Sequence, residues 1–192
     1  MNFKIIERSV PDVYVPTIYD VDYEDIYNSG VKYVIFDVDD TLLPSDDIDV
    51  TPELIELFDM VKNDYCFKTC LVSDGSDRRV KPVADILETD YIAKAYKPTT
   101  YAYPFVRQVF DESNTADNTV FIGDSVFLDM IFASRYGMYK VLVDSIGLNK
   151  YNYKTVSNNF VQAILSIPLK RYGFEFGKHY TKKLTCRRPY SN

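Results

Sequence analysis

A run of carboxylates, Asp37-Val38-Asp39-Asp40, closes the apolar stretch Val31–Asp37. Asp37 and Asp39 stand two positions apart at what reads as a strand end, so both side chains can enter one site as the chain leaves the sheet. One carboxylate can then act as a nucleophile while the other donates and accepts protons. The alternative is an acidic turn after a strand, because Asp is common in turns.

Two later segments could bind an anion. Ser73 ends a second apolar run in Leu71-Val72-Ser73-Asp74-Gly75, where a hydroxyl and main-chain amides before a helix can surround a phosphate. Lys97, just after a third short strand, could neutralise that anion together with Asp37. Each segment has an ordinary alternative, since Ser-Asp-Gly is a frequent turn and helix cap and a single lysine is usually solvated.

A second acidic segment, Gly123-Asp124-Ser125-Val126-Phe127-Leu128-Asp129, follows the apolar run Thr119–Ile122. Asp124 and Asp129 supply oxygen ligands, which hard divalent cations such as Mg²⁺ prefer. These two acids are therefore candidate metal ligands. The alternative is that Asp124 only caps the helix that follows.

Short apolar runs alternate with amphipathic segments along the chain, which is typical of a parallel sheet covered by helices on both faces. We therefore predict an α/β fold, a three-layer, doubly wound parallel sheet. Active sites of such sheets lie beyond the carboxyl ends of the strands, so Asp37, Ser73, Lys97 and Asp124 should meet there. The predicted strands are Val31–Asp37, Phe67–Val72, Tyr91–Ala95, Thr119–Ile122 and Tyr139–Val143. The predicted helices are Thr51–Asn63, Ser76–Leu87, Thr99–Phe110, Val126–Tyr136 and Asn158–Ser166.

In this order and on these strand ends, the four segments resemble the four motifs of the haloacid-dehalogenase superfamily. Within subfamily IIIA, the chain looks most like the YqeG-type phosphatases, which are related to the mitochondrial and cyanobacterial phosphatidylglycerophosphate phosphatases. The resemblance extends from about Val10 to about Val143. Besides the four motifs, it includes Arg78-Arg79-Val80 and Arg135-Tyr136-Gly137.

The resemblance implies a Rossmann-like core without a cap domain, and phosphoryl transfer to the protein. Asp37 would attack the phosphoryl group, and Asp39 would protonate the leaving oxygen and then deprotonate a water. The implied Mg²⁺ ligands are Asp37, the Asp39 carbonyl, Asp124 and Asp129. The residues implied to contact the substrate phosphate are Thr41, Ser73, Asp74, Gly75 and Lys97.

Two positions depart from the YqeG-type pattern. Asp40 stands where that group usually has Asn, a change that is ordinary in the wider superfamily and leaves the chemistry intact. Asp74-Gly75 stands where the group usually has an Asn pair, at a place where substrate contacts are expected.

With 192 residues, 46% of them hydrophobic, the chain suits one domain with a sizeable core. We expect an N-terminal arm packed on the core (1–30), a catalytic domain (31–167) and a basic, aromatic tail (168–192). The tail carries seven basic residues and one acid, while the whole chain has a net charge of −6, so no nucleic-acid partner is expected. Three cysteines without a CxxC pair, and no apolar signal segment, favour a reducing cytoplasm.

The spacing of the motifs also bears on the substrate. The stretches between Asp37 and Ser73 and between Ser73 and Lys97 hold little more than a helix and a strand, so neither contains a cap domain. Only residues 43–50 can cover the entrance. An open site suits a phosphorylated substrate whose bulk stays outside, and phosphatidylglycerophosphate is the leading candidate. The basic tail could hold the enzyme at an anionic membrane surface; alternatively its aromatic residues pack on the domain, or it is disordered.

Two other functions stay open at this point. The same chemistry could serve a soluble nucleotide, a sugar phosphate or a phosphoprotein. The third alternative is a non-catalytic binding protein on the same fold, against which the presence of all the motif residues counts. The oligomeric state is not indicated by the sequence.

Overall fold

The computed structural model describes residues 7–146, 168–181 and 184. Its strands are β1 (Val13–Val15), β2 (Tyr33–Phe36), β3 (Lys68–Val72), β4 (Asp90–Ile92), β5 (Thr119–Gly123), β6 (Tyr139–Val143) and β7 (Tyr180–Thr181). They form one sheet in the order β4-β3-β2-β5-β6-β1-β7. Neighbouring strands are parallel except β7, which runs antiparallel to β1.

The α-helices whose full extent is described are α1 (Tyr23–Asn28), α2 (Pro52–Asp59), α3 (Asp77–Ile86), α4 (Tyr103–Val109) and α5 (Ile131–Tyr136). A π-helical turn, Met60–Asp64, extends α2, and another, Val126–Met130, precedes α5. The predicted start of α2 is confirmed, since the Thr51 hydroxyl accepts a hydrogen bond from the Leu54 N–H (3.3 Å) and Pro52 occupies the first turn.

Side chains of β2 alternate between two hydrophobic clusters, one on each face of the sheet. Val34 and Phe36 belong to the cluster that holds the apolar residues of α2 and α3. Tyr33 and Ile35 belong to the cluster that holds those of α4 and α5. Because each face is covered by helices, the predicted three-layer α/β fold is confirmed.

The N-terminal segment is more than an arm laid on the core. Val13–Val15 form β1, which is buried and pairs in parallel with β6. Tyr23 and Ile26 of α1 enter one of the two large hydrophobic clusters. A three-residue strand flanked by prolines carries too little periodicity to be recognised in the sequence.

The described part of the C-terminal tail packs on the domain. The β7 strand adds to β1, and Phe174 is buried with its ring 5.5 Å from that of Tyr14. This arrangement corresponds to the alternative in which the tail aromatics serve packing. The predicted helix Asn158–Ser166, and the basic residues Arg187 and Arg188, lie outside the described residues.

Three predicted elements differ from the structure in length or in type. The helix predicted for Thr99–Phe110 begins only at Tyr103, with Pro104 in its first turn, where the missing N–H has no consequence. The strand predicted for Tyr91–Ala95 is Asp90–Ile92. The helix predicted for Val126–Tyr136 starts as the π-helical turn. A bilayer-spanning helix is not found in the part of the chain that the structure describes.

Candidate active site

Asp37 and Asp124 follow the carboxyl ends of β2 and β5, which are adjacent strands in the middle of the sheet. Asp37 follows β2 directly, and its N–H donates a hydrogen bond to the Ile122 carbonyl of β5 (2.9 Å). The Asp37 carboxylate is nearly buried, and its Oδ1 lies 2.7 Å from Nζ of Lys97. Both the main chain and an ion pair therefore hold Asp37 at the strand end.

Asp129 lies in the π-helical turn after β5 and is fully buried. Its Oδ1 lies 2.7 Å from Nζ of Lys97, and its Oδ2 accepts a hydrogen bond from the Ser125 N–H (3.0 Å). A Cβ on residue 123 would stand 2.5 Å from that Oδ2. Gly123 therefore leaves the space that the Asp129 carboxylate occupies.

Asp37, Asp124 and Asp129 together form an acidic triad, in which one carboxylate oxygen of each residue lies within 4.8 Å of the others. Thr41 Oγ1 donates a hydrogen bond to Asp124 Oδ1 (3.3 Å). Three buried carboxylates converging on one place match the all-oxygen ligation that Mg²⁺ prefers. These residues fit a divalent cation.

Burial raises the pKa of Asp37 well above its ordinary value, and Lys97 opposes that rise while the neighbouring carboxylates add to it. Burial likewise raises the pKa of Asp124 to about 7, with Asp129 and Asp40 adding to the effect. For Lys97, burial favours the neutral amine, but Asp129 and Asp37 outweigh it and raise the pKa of the ammonium. The acidic triad therefore places more buried carboxylates together than one lysine can pair with.

The segment after β3 is folded tightly against Lys97. The buried Ser73 Oγ accepts a hydrogen bond from the Gly75 N–H (3.0 Å), and the Asp74 Oδ1 accepts one from the Lys97 N–H (2.8 Å). Asp74 thus anchors the main chain that carries Lys97. The sequence analysis predicted only a phosphate contact for Asp74 and did not predict this contact. The phosphate contacts predicted for Ser73, Asp74 and Gly75 stay predictions.

Asp39 contacts Arg79, a residue that the sequence analysis did not assign to the site. Its Oδ1 accepts a hydrogen bond from Arg79 Nε (2.9 Å), and both side chains are largely buried. In the sequence analysis, Arg79 appeared only within Arg78-Arg79-Val80, a segment near the start of α3 that belongs to the resemblance to the YqeG-type phosphatases. Its partner lies far away along the chain, so no spacing pattern could identify the contact.

The segment between β4 and α4, together with the start of α4, forms an exposed aromatic rim of Tyr96, Tyr101 and Phe105. The Tyr96 and Tyr101 ring centroids are 5.1 Å apart, and those of Tyr101 and Phe105 are 5.5 Å apart. Tyr96 directly precedes Lys97, so the aromatic rim adjoins the ion cluster.

The structure brings most of the predicted site residues together. Asp37, Asp124, Asp129 and Lys97 meet in one cluster, Thr41 reaches Asp124, and Asp74 reaches the Lys97 main chain. Besides Arg79, the sequence analysis missed Ser145, which hydrogen-bonds Asp124. Ser145 comes just after β6, and the rule about carboxyl strand ends could have found it.

The family model and the relative that match this chain are both described as phosphatases. The family model described as Mitochondrial PGP phosphatase matches residues 3–147. The probable phosphatase YqeG of Bacillus subtilis (strain 168) is 32% identical over 164 residues, which are 85% of this chain and 93% of that protein.

Two solved structures are also matched. A hypothetical protein from Xanthomonas campestris has a TM-score of 0.48 and 14% identity, over 68% of this chain and 74% of that one. The cobalt-bound deoxy-D-mannose-octulosonate 8-phosphate phosphatase (YrbI) of Haemophilus influenzae has a TM-score of 0.45 and 17% identity, over 79% and 96%.

Proposed function

The chain belongs to the mitochondrial PGP phosphatase family and is a phosphatase of the haloacid-dehalogenase type, and on that premise we propose how it acts. It hydrolyses a phosphate monoester through an aspartyl-phosphate on Asp37, with Mg²⁺ as cofactor. The observation that carries this proposal is the Asp37 carboxylate at the end of β2, 2.7 Å from Lys97 and within the acidic triad.

The reaction has two steps. In the first, Asp37 forms a bond to phosphorus while the bond to the leaving oxygen breaks, and Asp39 gives that oxygen a proton. In the second, a water attacks the phosphorus of the aspartyl-phosphate and Asp39 takes up its proton. Inorganic phosphate leaves, and Asp37 returns to its carboxylate form.

Asp37, the Asp39 carbonyl, Asp124 and Asp129 would hold Mg²⁺. A bound divalent cation supplies the positive charge that offsets repulsion between a phosphate anion and a carboxylate nucleophile. The buried, electron-rich oxygens of the acidic triad support this role, because buried carboxylates without a sufficient counter-charge are costly.

On the phosphate side, Lys97 stabilises the negative charge on the transferred oxygens. Its ammonium is held in place by Asp37 and Asp129, each 2.7 Å away, so little rearrangement is needed during the reaction. Thr41 and Ser73 position the phosphate, and Asp74 and Gly75 shape the loop that carries Ser73.

For the substrate, we propose phosphatidylglycerophosphate, whose diacyl portion would stay outside the open site. The family description supports this choice, and so does the aromatic rim, because exposed tyrosines and phenylalanines suit the boundary between headgroups and acyl chains. Membrane contact would bring the enzyme to that substrate.

A phosphate-release screen tests this proposal. Phosphatidylglycerophosphate in mixed micelles is compared with soluble sugar phosphates, nucleotides and a phosphopeptide, each with and without Mg²⁺. The highest kcat/KM is expected for the lipid. A clear preference for a soluble monoester would instead support the second candidate, a phosphatase for small metabolites.

Vesicle co-sedimentation tests the membrane contribution of the tail. A 1–167 truncation would remove β7 and the buried Phe174, and would therefore disturb the fold. A 1–184 truncation removes Arg187 and Arg188 and keeps those elements. Weaker binding of the truncated chain to anionic vesicles supports the tail as an anchor, whereas equal binding argues that other surfaces are responsible.

A further inference from the structure

The guanidinium of Arg79 donates hydrogen bonds to three acceptors, one carboxylate and two main-chain carbonyls. Its Nε donates a hydrogen bond to Asp39 Oδ1 (2.9 Å), and its Nη2 donates to the Pro44 carbonyl (2.8 Å). Its Nη1 donates to the Asp47 carbonyl. A planar fork with donors in fixed directions is suited to such a three-way contact.

The two carbonyls belong to the entrance loop, residues 43–50. This loop is fixed from its other side by Asp40, which has a left-handed φ of 63° and whose Oδ1 accepts a hydrogen bond from the Ser45 N–H (2.9 Å). The Asp40 N–H also donates to the Leu43 carbonyl (2.7 Å). The entrance loop is thus folded back on the segment that holds Asp39.

The Arg79 stem is also packed against the loop after β3. A Cβ on residue 75 would stand 3.2 Å from Arg79 Cγ, so Gly75 lets the aliphatic stem lie close to the Ser73 loop. Arg79 therefore stands between the loop expected to hold the phosphate and the carboxylate expected to protonate the leaving oxygen.

From these contacts we propose that Arg79 is a positioning residue, which fixes the Asp39 carboxylate and the entrance loop in one arrangement with a single side chain. The inference rests on the proposed role of Asp39 in proton transfer. Arg79 then acts on the leaving-group side of the reaction, and not on the transferred phosphate. Lysine can keep the charge but cannot reproduce three directed hydrogen bonds.

The test compares leaving groups. A p-nitrophenolate leaves with little help from an acid, whereas an alkoxide needs its proton, so loss of a well-placed Asp39 should harm alkyl phosphates selectively. The kcat/KM is measured with saturating Mg²⁺, because this parameter covers the steps up to departure of the leaving group. Arg79→Lys is expected to lose about tenfold or more with an alkyl phosphate and under about threefold with p-nitrophenyl phosphate.

Arg78→Lys is the matched control. Arg78 is the neighbouring residue on α3 and is exposed, so the same exchange there should leave both rates unchanged. Thermal unfolding of each variant is recorded with Mg²⁺ to establish that the variants compared are folded. An Arg79→Gln variant, which replaces the guanidinium with a neutral amide, should show the same leaving-group selectivity as Arg79→Lys.

A double-mutant cycle with Asp39→Asn decides whether Arg79 acts through Asp39. If it does, Arg79→Lys adds little further loss once Asp39 cannot transfer a proton, so the two effects on alkyl phosphate turnover are far from additive. Equal losses for both leaving groups, persisting in the Asp39→Asn background, would overturn the proposal and assign Arg79 to the phosphate or to folding. Unchanged kinetics of Arg79→Lys would also overturn it.

The same data separate this inference from the proposed function. If Asp39→Asn itself has no selective effect on alkyl phosphates, the assignment of Asp39 as the proton donor fails. If Asp39→Asn has that effect and Arg79→Lys does not, only the positioning role fails.

Discussion

Two clusters of lysine and aspartate lie at opposite ends of the sheet and differ in their electrostatics. The buried cluster, at the carboxyl end, joins Lys97 to Asp37 and Asp129, whose side chains are 1%, 9% and 0% exposed. The surface cluster, at the amino end, joins Lys68 to Asp111, whose side chains are 59% and 44% exposed. The pKa of Asp37 is raised by burial, whereas hydrogen bonds from Lys68 and its neighbours lower the pKa of Asp111.

The same two residue types therefore serve different purposes. In the surface cluster, Lys68 and hydrogen bonds from Tyr33 and Ser113 satisfy the single carboxylate of Asp111. In the buried cluster, Asp124 adds a further carboxylate, so one lysine faces an excess of buried carboxylates, and the pKa values of Asp37 and Asp124 are raised. That excess is the property which suits a cation and a reactive carboxylate.

The largest contrast is expected from neutralising one aspartate in each cluster. Asp37→Asn should reduce phosphate release by at least about a thousandfold, because it removes the attacking carboxylate. Asp111→Asn is the matched control and should keep the activity of the unaltered protein. Circular dichroism checks the fold, and a folded Asp37→Asn variant with substantial turnover would contradict the covalent mechanism.

Removing the lysines should affect stability to different extents. Lys97→Met leaves buried carboxylates without their partner, and we expect a loss of about 3–5 kcal/mol in the free energy of unfolding without metal. Lys68→Met should change it little, because solvent replaces the lost partner. Urea denaturation at neutral pH measures both, and equal effects would remove the distinction between the clusters.

Mg²⁺ should stabilise the protein more as the pH rises. The folded pKa of Asp124 is about 7, above the ordinary value of 3.8, so this group favours folding of the metal-free protein at low pH and that contribution is lost as the pH rises towards 7. A cation binds the ionised form. The increase in melting temperature with Mg²⁺ should thus be larger at about pH 8 than at about pH 5.5. An increase independent of pH would contradict this account.

The smallest effect concerns a glycine. Gly123→Ala would place a Cβ 2.5 Å from Asp129 Oδ2 and force the carboxylate to shift. We expect a loss of about 1–3 kcal/mol in stability, together with weaker Mg²⁺ binding seen by calorimetry. Gly173→Ala is not a suitable control because its φ is 80°, so Ser134→Ala, at a partly buried position of α5, is used instead. Normal Mg²⁺ affinity in Gly123→Ala would show that Asp129 tolerates displacement.

Much of the fold was predictable because apolar runs and helix starts are local signals. The end of β2 and the Thr51 cap follow from neighbouring residues, and the convergence of Asp37 and Asp124 follows from the rule on parallel strands. The strand Val13–Val15 was not predictable, since its place beside β6 depends on a partner far away in the chain.

In the candidate site, too, some features follow from local signals and others depend on distant partners. Lys97 could be chosen because it follows a strand, but its simultaneous contact with Asp37 and Asp129 depends on how three segments pack. The Arg79 contact with Asp39 is also purely tertiary. Sequence spacing indicates which residues reach the edge of the sheet, and packing decides which of them pair.

The most direct test of the central claim is to trap the phosphorylated enzyme. The Asp39→Asn variant, which should release phosphate slowly, is mixed with p-nitrophenyl phosphate and Mg²⁺, quenched in acid and digested for mass spectrometry. The account predicts one phosphoryl group on the peptide that contains Asp37, and none in Asp37→Asn. Turnover with no phosphorylated aspartate, or a phosphoryl group on another residue, would contradict it.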